Sequence, residues 1–249
     1  VFSRNLTKLF GGKTVRKVTI SKPSKLKITA QQLTKNIRNQ KLKKIYREGK
    51  ELRFEFANSN LLGIHLMLHG KLVAAKPGED LPKYMILSIE FDDGESLSLT
   101  DYQKAANASL NPEESLVPDA LDLTFGYMKN ALQKKSNIKT VLMDQKVIRG
   151  IGNAYADEIL WDARIAPFSI SKALDERTLK RLLQSIRKVL KNGEKQIIKK
   201  DPNIIQGEVR DFLKIHNSKM EKSPSGTPIL ITTIGGRKTY YTKEQIVYE

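Results

Sequence analysis

The sequence predicts an α+β protein: an N-terminal antiparallel β-sandwich, a helical domain and a C-terminal β-hairpin. Short alternating runs separated by turn signals fill the first part of the chain, runs with helical spacing follow a polar stretch bounded by prolines, and a Gly-Gly turn divides two β-rich runs near the end. We place the domains at residues 1–112, 113–218 and 219–249. The 249 residues suffice for more than one hydrophobic core.

Strand signals dominate the first domain. Residues 53–56 alternate between polar and apolar side chains, residues 58–60 (Asn-Ser-Asn) form a turn signal, and residues 61–66 resume the apolar pattern. The same pattern returns at residues 84–91 and ends at the turn signal of residues 92–94. Such closely spaced strands predict antiparallel pairing.

Helical spacing begins after the polar stretch Asn111–Pro118, where we place the domain boundary. Four helices are predicted, at Phe125–Lys135, Ile138–Asp144, Asn153–Arg164 and Asp175–Lys199. The last carries an apolar stripe that predicts a core-facing side. Its residues 180–200 also hold eight basic residues and one acid, a face more typical of a solvated surface than of a binding site.

The C-terminal segment has the pattern of a hairpin. Residues 227–233 and 238–241 are rich in β-formers and flank Ile234-Gly235-Gly236-Arg237, which places Arg237 at the tip. A lone two-stranded hairpin is marginal in water. It therefore needs support from the helical domain or from a ligand.

Charge indicates a polyanionic partner. The chain has 44 Lys and Arg against 27 Asp and Glu, a formal net charge of +17. Residues 1–50 hold fifteen basic residues and one acid, Glu48, whereas residues 79–122 hold eleven acids and two bases. We therefore expect one basic and one acidic surface. An anionic membrane is the competing partner, but the sequence contains no apolar run of spanning length and no signal peptide, so we expect no membrane attachment.

Metal and redox chemistry have few candidates. The chain has no cysteine, which excludes disulfides and cysteine-bound zinc and is compatible with a cytoplasmic location. The histidines, His65, His69 and His216, are widely spaced and are expected to pack or to donate hydrogen bonds. We expect no metal, no cofactor and a monomer.

The most informative segment runs from Met143 to Trp161, where a Gly-x-Gly loop leads into an amphipathic helix. Gly150 and Gly152 allow positive φ and close backbone approach, and Asn153 is a candidate N-cap, so that free N–H groups of the first turn could face an anion. Lys146 adds positive charge. The alternative is an ordinary loop that ends in a helix cap, since Gly-x-Gly alone does not distinguish the two.

This whole segment resembles the helix-two-turn-helix of the formamidopyrimidine-DNA glycosylase/endonuclease VIII family of base-excision repair enzymes. The resemblance implies that Lys146 and Asn153 hold the phosphates flanking a damaged nucleotide in double-stranded DNA. Residues 225–229 and 236–241 look like the family's C-terminal zinc finger, which implies a phosphate contact for Arg237. The family's four zinc-binding cysteines have no counterpart in this chain. Four other residues occupy approximately their positions, which is similar to the zincless finger of some branches of the family: Lys222, Ser225, Thr242 and Gln245.

The resemblance extends to the first domain. Residues 46–52 match the family's hairpin with a DNA-binding lysine, here Lys50, and residues 64–70 match the loop that supplies a wedge to the base stack, here Leu68. An apolar side chain there can fill the gap left by an extruded base. The alternatives are an ordinary surface lysine and, for Leu66 and Leu68, strand residues of the core.

Family enzymes use the amine of an N-terminal proline, assisted by the next glutamate, to attack C1′ and form a Schiff base. Residues 1–6 match the family pattern just after that Pro-Glu pair, and we expect an upstream segment to carry it, because Lys50, Asn153 and Arg237 are retained. Within the sequence itself, Lys50 is the candidate catalytic residue. The alternative is a homologue that binds damaged DNA without catalysis.

Two departures concern the substrate. The 8-oxoguanine branch of the family has Asp-Pro-Arg-Arg-Phe-Gly where this chain has residues 101–106, with Gln103 and Ala105 at the inserting Arg and Phe. Residues 201–218 are also short for that branch's lesion-capping loop. Both favour an endonuclease VIII-like enzyme acting on oxidised pyrimidines or ring-opened purines. We expect a bifunctional DNA glycosylase/AP lyase; an RNA- or ribosome-associated protein remains a further alternative.

Overall fold

The computed structural model of the chain describes residues 1–21 and 26–249. These residues form two compact units. The first comprises Val1–Glu114 together with Asp201–Glu208, and the second comprises Ser115–Lys200 together with Val209–Glu249. Antiparallel sheets in the first unit and helices in the second confirm the predicted α+β class.

The first unit is an antiparallel β-sandwich with two helices. Its elements are α1 (Phe2–Phe10), β1 (Val15–Ile20), α2 (Ala30–Ile37), β2 (Leu42–Glu48), β3 (Glu51–Phe56), β4 (Leu61–His65), β5 (Lys71–Ala75), β6 (Met85–Phe91), β7 (Ser96–Thr100) and β8 (Asn107–Leu110). One sheet has the order β1-β6-β7-β5 and the other β2-β3-β4-β8. The predicted strands at residues 53–56, 61–66 and 84–91 are confirmed to within one residue at most ends.

Both sheets and both helices bury apolar side chains in one core. Fully buried residues such as Phe54, Phe56 and Phe91 come from the strands, and Leu6 and Leu33 come from the helices. Burial of large apolar side chains is the main stabilising contribution to such a unit, at about 25 cal/mol per Å² of apolar surface. The helices thus cover sheet surface that would otherwise face water.

The expected separation into a basic and an acidic surface is wrong at one end of the sandwich. Antiparallel pairing of β1 with β6 brings basic residues of the N-terminal segment beside the acids of the β6–β7 turn. Lys13 Nζ lies 2.6 Å from both Asp93 Oδ2 and Glu95 Oε2, and Arg16 pairs with Glu90 at 3.5 Å. Charges that are far apart in sequence therefore neutralise one another in the fold.

The second unit is helical and ends in a hairpin. Its elements are α3 (Phe125–Ala131), α4 (Ile138–Met143), α5 (Asn153–Asp162), a single 3-10 turn (Ser171–Ala173), α6 (Glu176–Lys200), β9 (Leu230–Ile234) and β10 (Arg237–Tyr241). All four predicted helices are confirmed, the first being four residues shorter than expected. Asp175 lies just before α6, where its carboxylate accepts a hydrogen bond from Thr178 N at 2.7 Å.

The predicted hairpin is also confirmed. Arg237 pairs with Ile234, and the two residues between them, Gly235 and Gly236, have φ values of +56° and +71°. Positive φ at both central positions is the requirement of a type I′ turn, which only glycine and a few polar residues meet at low cost. None of the helices in the described parts of the chain combines the length and the apolar character that a bilayer crossing needs.

Residues Asp201–Glu208 return from the end of α6 to the first unit. Asn5, which is buried in α1, donates hydrogen bonds from Nδ2 to Pro202 O and to Ile204 O, each at 2.9 Å. Ile205 packs against the core of the sandwich. This short segment is therefore a structural part of the first unit.

Candidate nucleic-acid interface

In the first unit, strand register places Lys50 beside the loop that holds Leu68. Lys50 follows Gly49, which has a φ of +60°, in the turn between β2 and β3, and its side chain is exposed. The next residue, Glu51, pairs with His65 at the end of β4. Burial and the nearby Lys50 ammonium together lower the pKa of His65. The lysine and the wedge loop therefore lie at the same end of this sheet.

Leu68 is exposed over 77% of its surface, which excludes the strand-core alternative for this residue. Strand β4 ends at His65, and a tight turn follows in which Met67 N donates to His65 Nδ1 at 3.0 Å and Gly70 N donates to Leu66 O at 2.8 Å. Leu66 points the other way and packs against the sandwich core. An exposed leucine on an ordered turn suits insertion into an apolar environment such as a base stack.

The loop of residues 101–106 ends near this turn, because β8 pairs with β4 and its first residue, Asn107, lies opposite His65. The buried Asp101 carboxylate orders the loop by accepting hydrogen bonds from the backbone N–H groups of Gln103, Ala105 and Ala106 at 2.8–2.9 Å. Burial opposes ionisation, but these donors prevail and lower the pKa of Asp101. The side chains of Gln103 and Ala105 are exposed.

In the second unit, the loop before α5 differs in two details from the prediction. Gly150 has the expected positive φ of +97°, but Gly152 is extended, with φ −110° and ψ 176°, and is itself the N-cap. Asn153 is the first helical residue, so its expected capping role is wrong. The physical reason lies outside the loop: Asn153 Nδ2 donates to Lys238 O of the hairpin at 3.0 Å, a partner that only the tertiary fold supplies.

A glutamine holds this loop together. Gln145 Oε1 accepts from Gly150 N at 3.0 Å, and its Nε2 donates to Met143 O at 2.8 Å and to Ile151 O at 3.1 Å. Lys146 follows with an exposed side chain. Nothing in the sequence distinguishes Gln145 from a surface glutamine, because its partners are backbone groups that meet only in the folded loop.

Beneath the hairpin lies a buried polar cluster that the sequence analysis missed. Lys139 of α4 and Asp157 of α5 form an ion pair at 2.7 Å, and each side chain is at most 1% exposed. Asp157 Oδ2 also accepts from His216 Nδ1 at 2.7 Å and from Tyr240 N at 3.0 Å, while Lys139 Nζ donates to Thr239 Oγ1 at 2.7 Å.

Burial lowers the pKa of Lys139, the charge and hydrogen bond of Asp157 act against this, and the positive charge of Arg237 adds to the lowering. The cluster fixes β10, the strand that begins with Arg237. A signal was available: Lys139 and Asp157 both stand among apolar neighbours on the core-facing sides of predicted helices. A charge in such a position needs a buried partner.

The hairpin thus brings two predicted site residues together. Arg237 is exposed at the first position of β10, and its neighbour Lys238 receives the amide hydrogen bond from Asn153. A Cβ on Gly235 in the turn would lie 3.6 Å from Thr140 of α4. Arg237 and Asn153 therefore occupy one surface of the second unit, and Lys50 and Leu68 occupy one end of the first.

Hydrogen bonds close the base of the finger at three of the four positions matched to cysteines. Ser225 Oγ donates to Glu244 Oε2 at 2.8 Å, and Thr242 Oγ1 donates to the same oxygen at 3.2 Å. Thr242 N donates to Gln245 Oε1 at 2.8 Å, and Gln245 Nε2 donates to Ile165 O at 2.8 Å. Lys222 is exposed, and its backbone bridges to Pro228. Within the described residues, no three His, Asp or Glu side chains are grouped as metal ligands.

Comparison with known proteins agrees with this architecture. Residues 1–108 match the formamidopyrimidine-DNA glycosylase N-terminal domain, and residues 116–201 match the formamidopyrimidine-DNA glycosylase H2TH domain. The formamidopyrimidine-DNA glycosylase of Cytobacillus firmus is 32% identical over 260 residues, covering 96% of this chain and 94% of that protein. The protein of the same name from Ureaplasma parvum is 32% identical over 248 residues, covering 91% and 90%.

Solved structures show the same fold. A complex of the Lactococcus lactis Fpg with DNA containing an abasic site superposes with a TM-score of 0.86 at 24% identity, covering 97% of this chain and 95% of that one. The same protein with DNA containing FAPY-dG gives a TM-score of 0.85 with the same coverage. With two domain models matched in order and relatives above 30% identity along almost the whole length, this chain belongs to the formamidopyrimidine-DNA glycosylase/endonuclease VIII family.

Proposed function

We propose that the protein is a bifunctional DNA glycosylase/AP lyase that removes oxidised bases from double-stranded DNA. The observation that carries the proposal is that each unit presents exposed side chains of the types that DNA contacts require: Lys50 and Leu68 on the first unit, and Lys146 and Arg237 on the second. Membership of a DNA glycosylase family and a net charge of +17 support a DNA substrate.

The proposed reaction has two stages. An amine attacks C1′ of the damaged nucleotide, the bond from C1′ to the base breaks, and the base leaves with a proton. The amine nitrogen then loses a proton, and the bond from C1′ to the sugar ring oxygen O4′ breaks as that oxygen takes up a proton, so that the nitrogen and C1′ are joined as an iminium. Loss of a proton from C2′ then drives cleavage of the bond between C3′ and its phosphate oxygen, which breaks the strand. The family resemblance assigns the nucleophile to the amine of an N-terminal proline. Lys50, which we assign to a phosphate contact, is the alternative amine within this sequence and would act only in place of that proline.

In the first unit, we assign Lys50 to a phosphate contact beside the extruded nucleotide and Leu68 to the gap that this nucleotide leaves. Lys50 is exposed at the end of a two-residue turn, so its ammonium can reach a phosphate without loss of a core contact. Leu68 is among the most exposed large apolar side chains in the described residues. Its insertion between bases would remove apolar surface from water.

In the second unit, we assign Lys146, Asn153 and Arg237 to the DNA backbone. Asn153 uses one amide hydrogen for Lys238 O and keeps a second, and the first turn of α5 presents backbone N–H groups without a side-chain cap. Arg237 can donate two parallel hydrogen bonds to one phosphate. Such contacts position the duplex and carry no sequence preference.

The first test measures binding to a duplex with a stable abasic-site analogue as a function of salt. Alanine at Lys50 or Arg237 should weaken binding by about 1–3 kcal/mol and reduce the salt slope by about one unit each. Lys35→Ala, an exposed lysine at the end of α2, is the matched control and should change the slope little. Unchanged affinity in Arg237→Ala would remove the finger from the interface.

The second test is borohydride trapping of the natural full-length protein on abasic-site DNA. A covalent complex supports the Schiff-base lyase. Because Lys50→Ala should also weaken binding, trapping is compared at DNA concentrations that saturate each variant. Trapping that is then lost in Lys50→Ala but kept in Lys35→Ala would place the amine at Lys50. Tight binding without any trapping would overturn the lyase assignment in favour of a non-catalytic damaged-DNA-binding protein. Stronger competition by structured RNA than by abasic duplex would overturn the choice of DNA.

A further inference from the structure

Arg53 of β3 is a buried charge in the first unit, and none of the contacts assigned above uses it. Only 4% of its surface is exposed. Its neighbours Leu52 and Phe54 belong to the apolar core, and side chains alternate along a strand, so Arg53 lies on the opposite face of the sheet. A guanidinium keeps its proton in a folded protein, so a buried one needs partners.

The acidic partners of Arg53 stand on both sides of the β2–β3 turn. Arg53 Nη2 lies 3.0 Å from Glu51 Oε2, and Arg53 Nε lies 3.5 Å from Glu48 Oε2. Glu48 is the last residue of β2, Glu51 is the first of β3, and the two are paired in the strand register. Only Gly49 and Lys50 stand between them. One guanidinium therefore holds both ends of the turn that presents Lys50.

The same guanidinium reaches the segment at which the chain leaves the first unit. Arg53 Nη1 donates to Pro112 O at 2.7 Å, and Nη2 donates to Glu113 O at 3.1 Å. This part of the first unit ends one residue later, at Glu114. The Lys50 turn is therefore tied to the last residues of its unit.

A glycine makes room for this cluster. Gly63 of β4 lies opposite Arg53 in the strand register. A Cβ at Gly63 would collide with the Glu51 carboxylate and would lie 2.9 Å from Pro112 Cγ. Burial raises the pKa of Glu51, and the nearby charge of Arg53 acts against this. The ion pair therefore fills space that a side chain at residue 63 would otherwise take.

Two carboxylates beside a lysine that binds phosphate are unfavourable on charge alone. Glu48 and Glu51 would each repel a phosphate that approaches Lys50, to an extent that water and salt reduce. Their presence in a chain with a net charge of +17 therefore calls for another role. Their shared contact with Arg53 supplies one, because it fixes the backbone on either side of the lysine.

We propose that Arg53 is a positioning residue for Lys50: through Glu48 and Glu51 it fixes the β2–β3 turn and holds the lysine where a phosphate can meet it. This inference rests on the proposed function, in which Lys50 contacts a phosphate beside the extruded nucleotide. Arg53 is buried, so it acts through the turn and not by contact with DNA. A turn that is already fixed loses little conformational entropy when DNA binds.

The first measurement uses Arg53→Lys, which keeps the positive charge but lacks the planar fork that reaches two carboxylates and two carbonyl groups at once. Binding to a duplex with a tetrahydrofuran abasic analogue is measured as a function of salt. Arg53→Lys should lose about one unit of the salt slope, as Lys50→Ala does, and the double variant should lose no more than either single one. Arg16→Lys, which changes an exposed arginine paired with Glu90, is the matched control and should keep the slope.

The second measurement is hydrogen exchange of the free protein under native conditions. The amides of residues 48–51 should exchange about tenfold faster in Arg53→Lys, because hydrogen bonds of a charged group contribute at least that much to local stability. The amides of β6 should exchange at the wild-type rate. Equal acceleration in both places would show a general loss of stability and would overturn the positioning role, as would unchanged exchange at residues 48–51.

Glu51→Ala provides a decisive result even where Arg53→Lys does not fold, because it leaves the other partners of Arg53 in place. Charge alone predicts that this variant binds DNA more tightly, since a carboxylate beside Lys50 is lost. Loss of positioning predicts the opposite, weaker binding with a lower salt slope. Tighter or unchanged binding of Glu51→Ala would overturn the proposal.

An unchanged slope in Arg53→Lys, or losses that add in the double variant, would also overturn it. Failure of the proposed function would look different. Lys50→Ala would then keep the wild-type salt slope, while exchange at residues 48–51 would still rise in Arg53→Lys. That result would refute the phosphate contact of Lys50 and not the hold of Arg53 on the turn.

Discussion

The buried ion pair between Lys139 and Asp157 allows the sharpest test of how the hairpin is held. Asp157→Asn keeps the size and shape of the side chain but removes its charge. Aspartate has two acceptor oxygens, of which one faces Lys139 and the other receives hydrogen bonds from His216 and Tyr240 N. Asparagine has a single acceptor, so its NH₂ group must face a donor on one of these two sides.

The expected loss of stability is large for a single substitution. Removal of one partner from a buried pair typically costs about 3–5 kcal/mol, because the remaining charge is desolvated and uncompensated. Lys139 is 1% exposed and cannot reach water without displacement of the hairpin. The total free energy of unfolding of a domain is roughly 5–15 kcal/mol, so the variant should lose a substantial share of its stability.

The loss of stability in Asp157→Asn should depend on pH. In the wild-type protein the pKa of Lys139 already lies below 10.5, because burial outweighs the support from Asp157. Without that carboxylate the pKa falls further, so the charged lysine destabilises the folded state at neutral pH. The unfolded chain then binds more protons than the folded one, and stability rises with pH between the lowered pKa of Lys139 and about 10.5. The deficit of Asp157→Asn should therefore be largest near neutral pH and should shrink as the pH rises.

Urea unfolding of the wild-type and variant proteins, measured from neutral to alkaline pH, provides the readout. Asp162→Asn is the matched control: it removes an ion pair with Lys188 of the same length, 2.7 Å, but with a largely exposed lysine, and should cost under about 1 kcal/mol. A deficit for Asp157→Asn of under 1 kcal/mol, or one that does not change with pH, would refute the account of a buried charge held by Asp157.

Three further predictions follow from other parts of the fold. Chelators should change neither the melting temperature nor DNA binding, since hydrogen bonds close the finger; loss that zinc restores would contradict this. Gln103 and Ala105 should give weak discrimination between opposite bases: single-turnover excision rates of one lesion paired with different bases should differ by under about tenfold, or 1.4 kcal/mol. Excision of 8-oxoguanine opposite cytosine should be no faster than excision of an oxidised pyrimidine. Gly193→Ala should destabilise the protein, because the added Cβ would lie 2.5 Å from Tyr155 Oη. Gly126→Ala should stabilise it by about 0.5–1 kcal/mol, because the added Cβ meets nothing within 4 Å, and calorimetry measures both effects.

Local signals in the sequence predicted most of the architecture. The Gly235-Gly236 turn needs positive φ, and that requirement is visible in two letters of sequence. Two helices of the first unit were overlooked although signals exist: Phe2, Leu6 and Phe10 recur every four residues in α1, and α2 begins with a capping box at Thr29 that Gln32 completes. The predicted strands begin only at residue 53, so the sequence prediction names no element for the segment that holds α1 and α2.

The remaining differences have a tertiary origin. Asn153 had the sequence context of an N-cap, but its amide found a better partner in the hairpin, more than eighty residues away in the chain. The separation of charge along the sequence was undone by antiparallel pairing, which set Lys13 beside Asp93 and Glu95. Side-chain partners that come from distant segments leave no mark on local sequence. The roles of Lys50, Leu68, Lys146, Asn153 and Arg237 in DNA binding stay predictions.

Because residues Asp201–Glu208 return to the sandwich, the first unit cannot be completed early during synthesis on the ribosome. The carbonyl groups that satisfy the buried amide of Asn5, Pro202 O and Ile204 O, are synthesised only after the whole of α6, 197 and 199 residues later. The N-terminal unit therefore lacks these two acceptors until most of its neighbour has been translated. Premature termination anywhere before residue 208 would deprive both units of parts they need, so truncated products should be substrates for proteolysis and not partial enzymes.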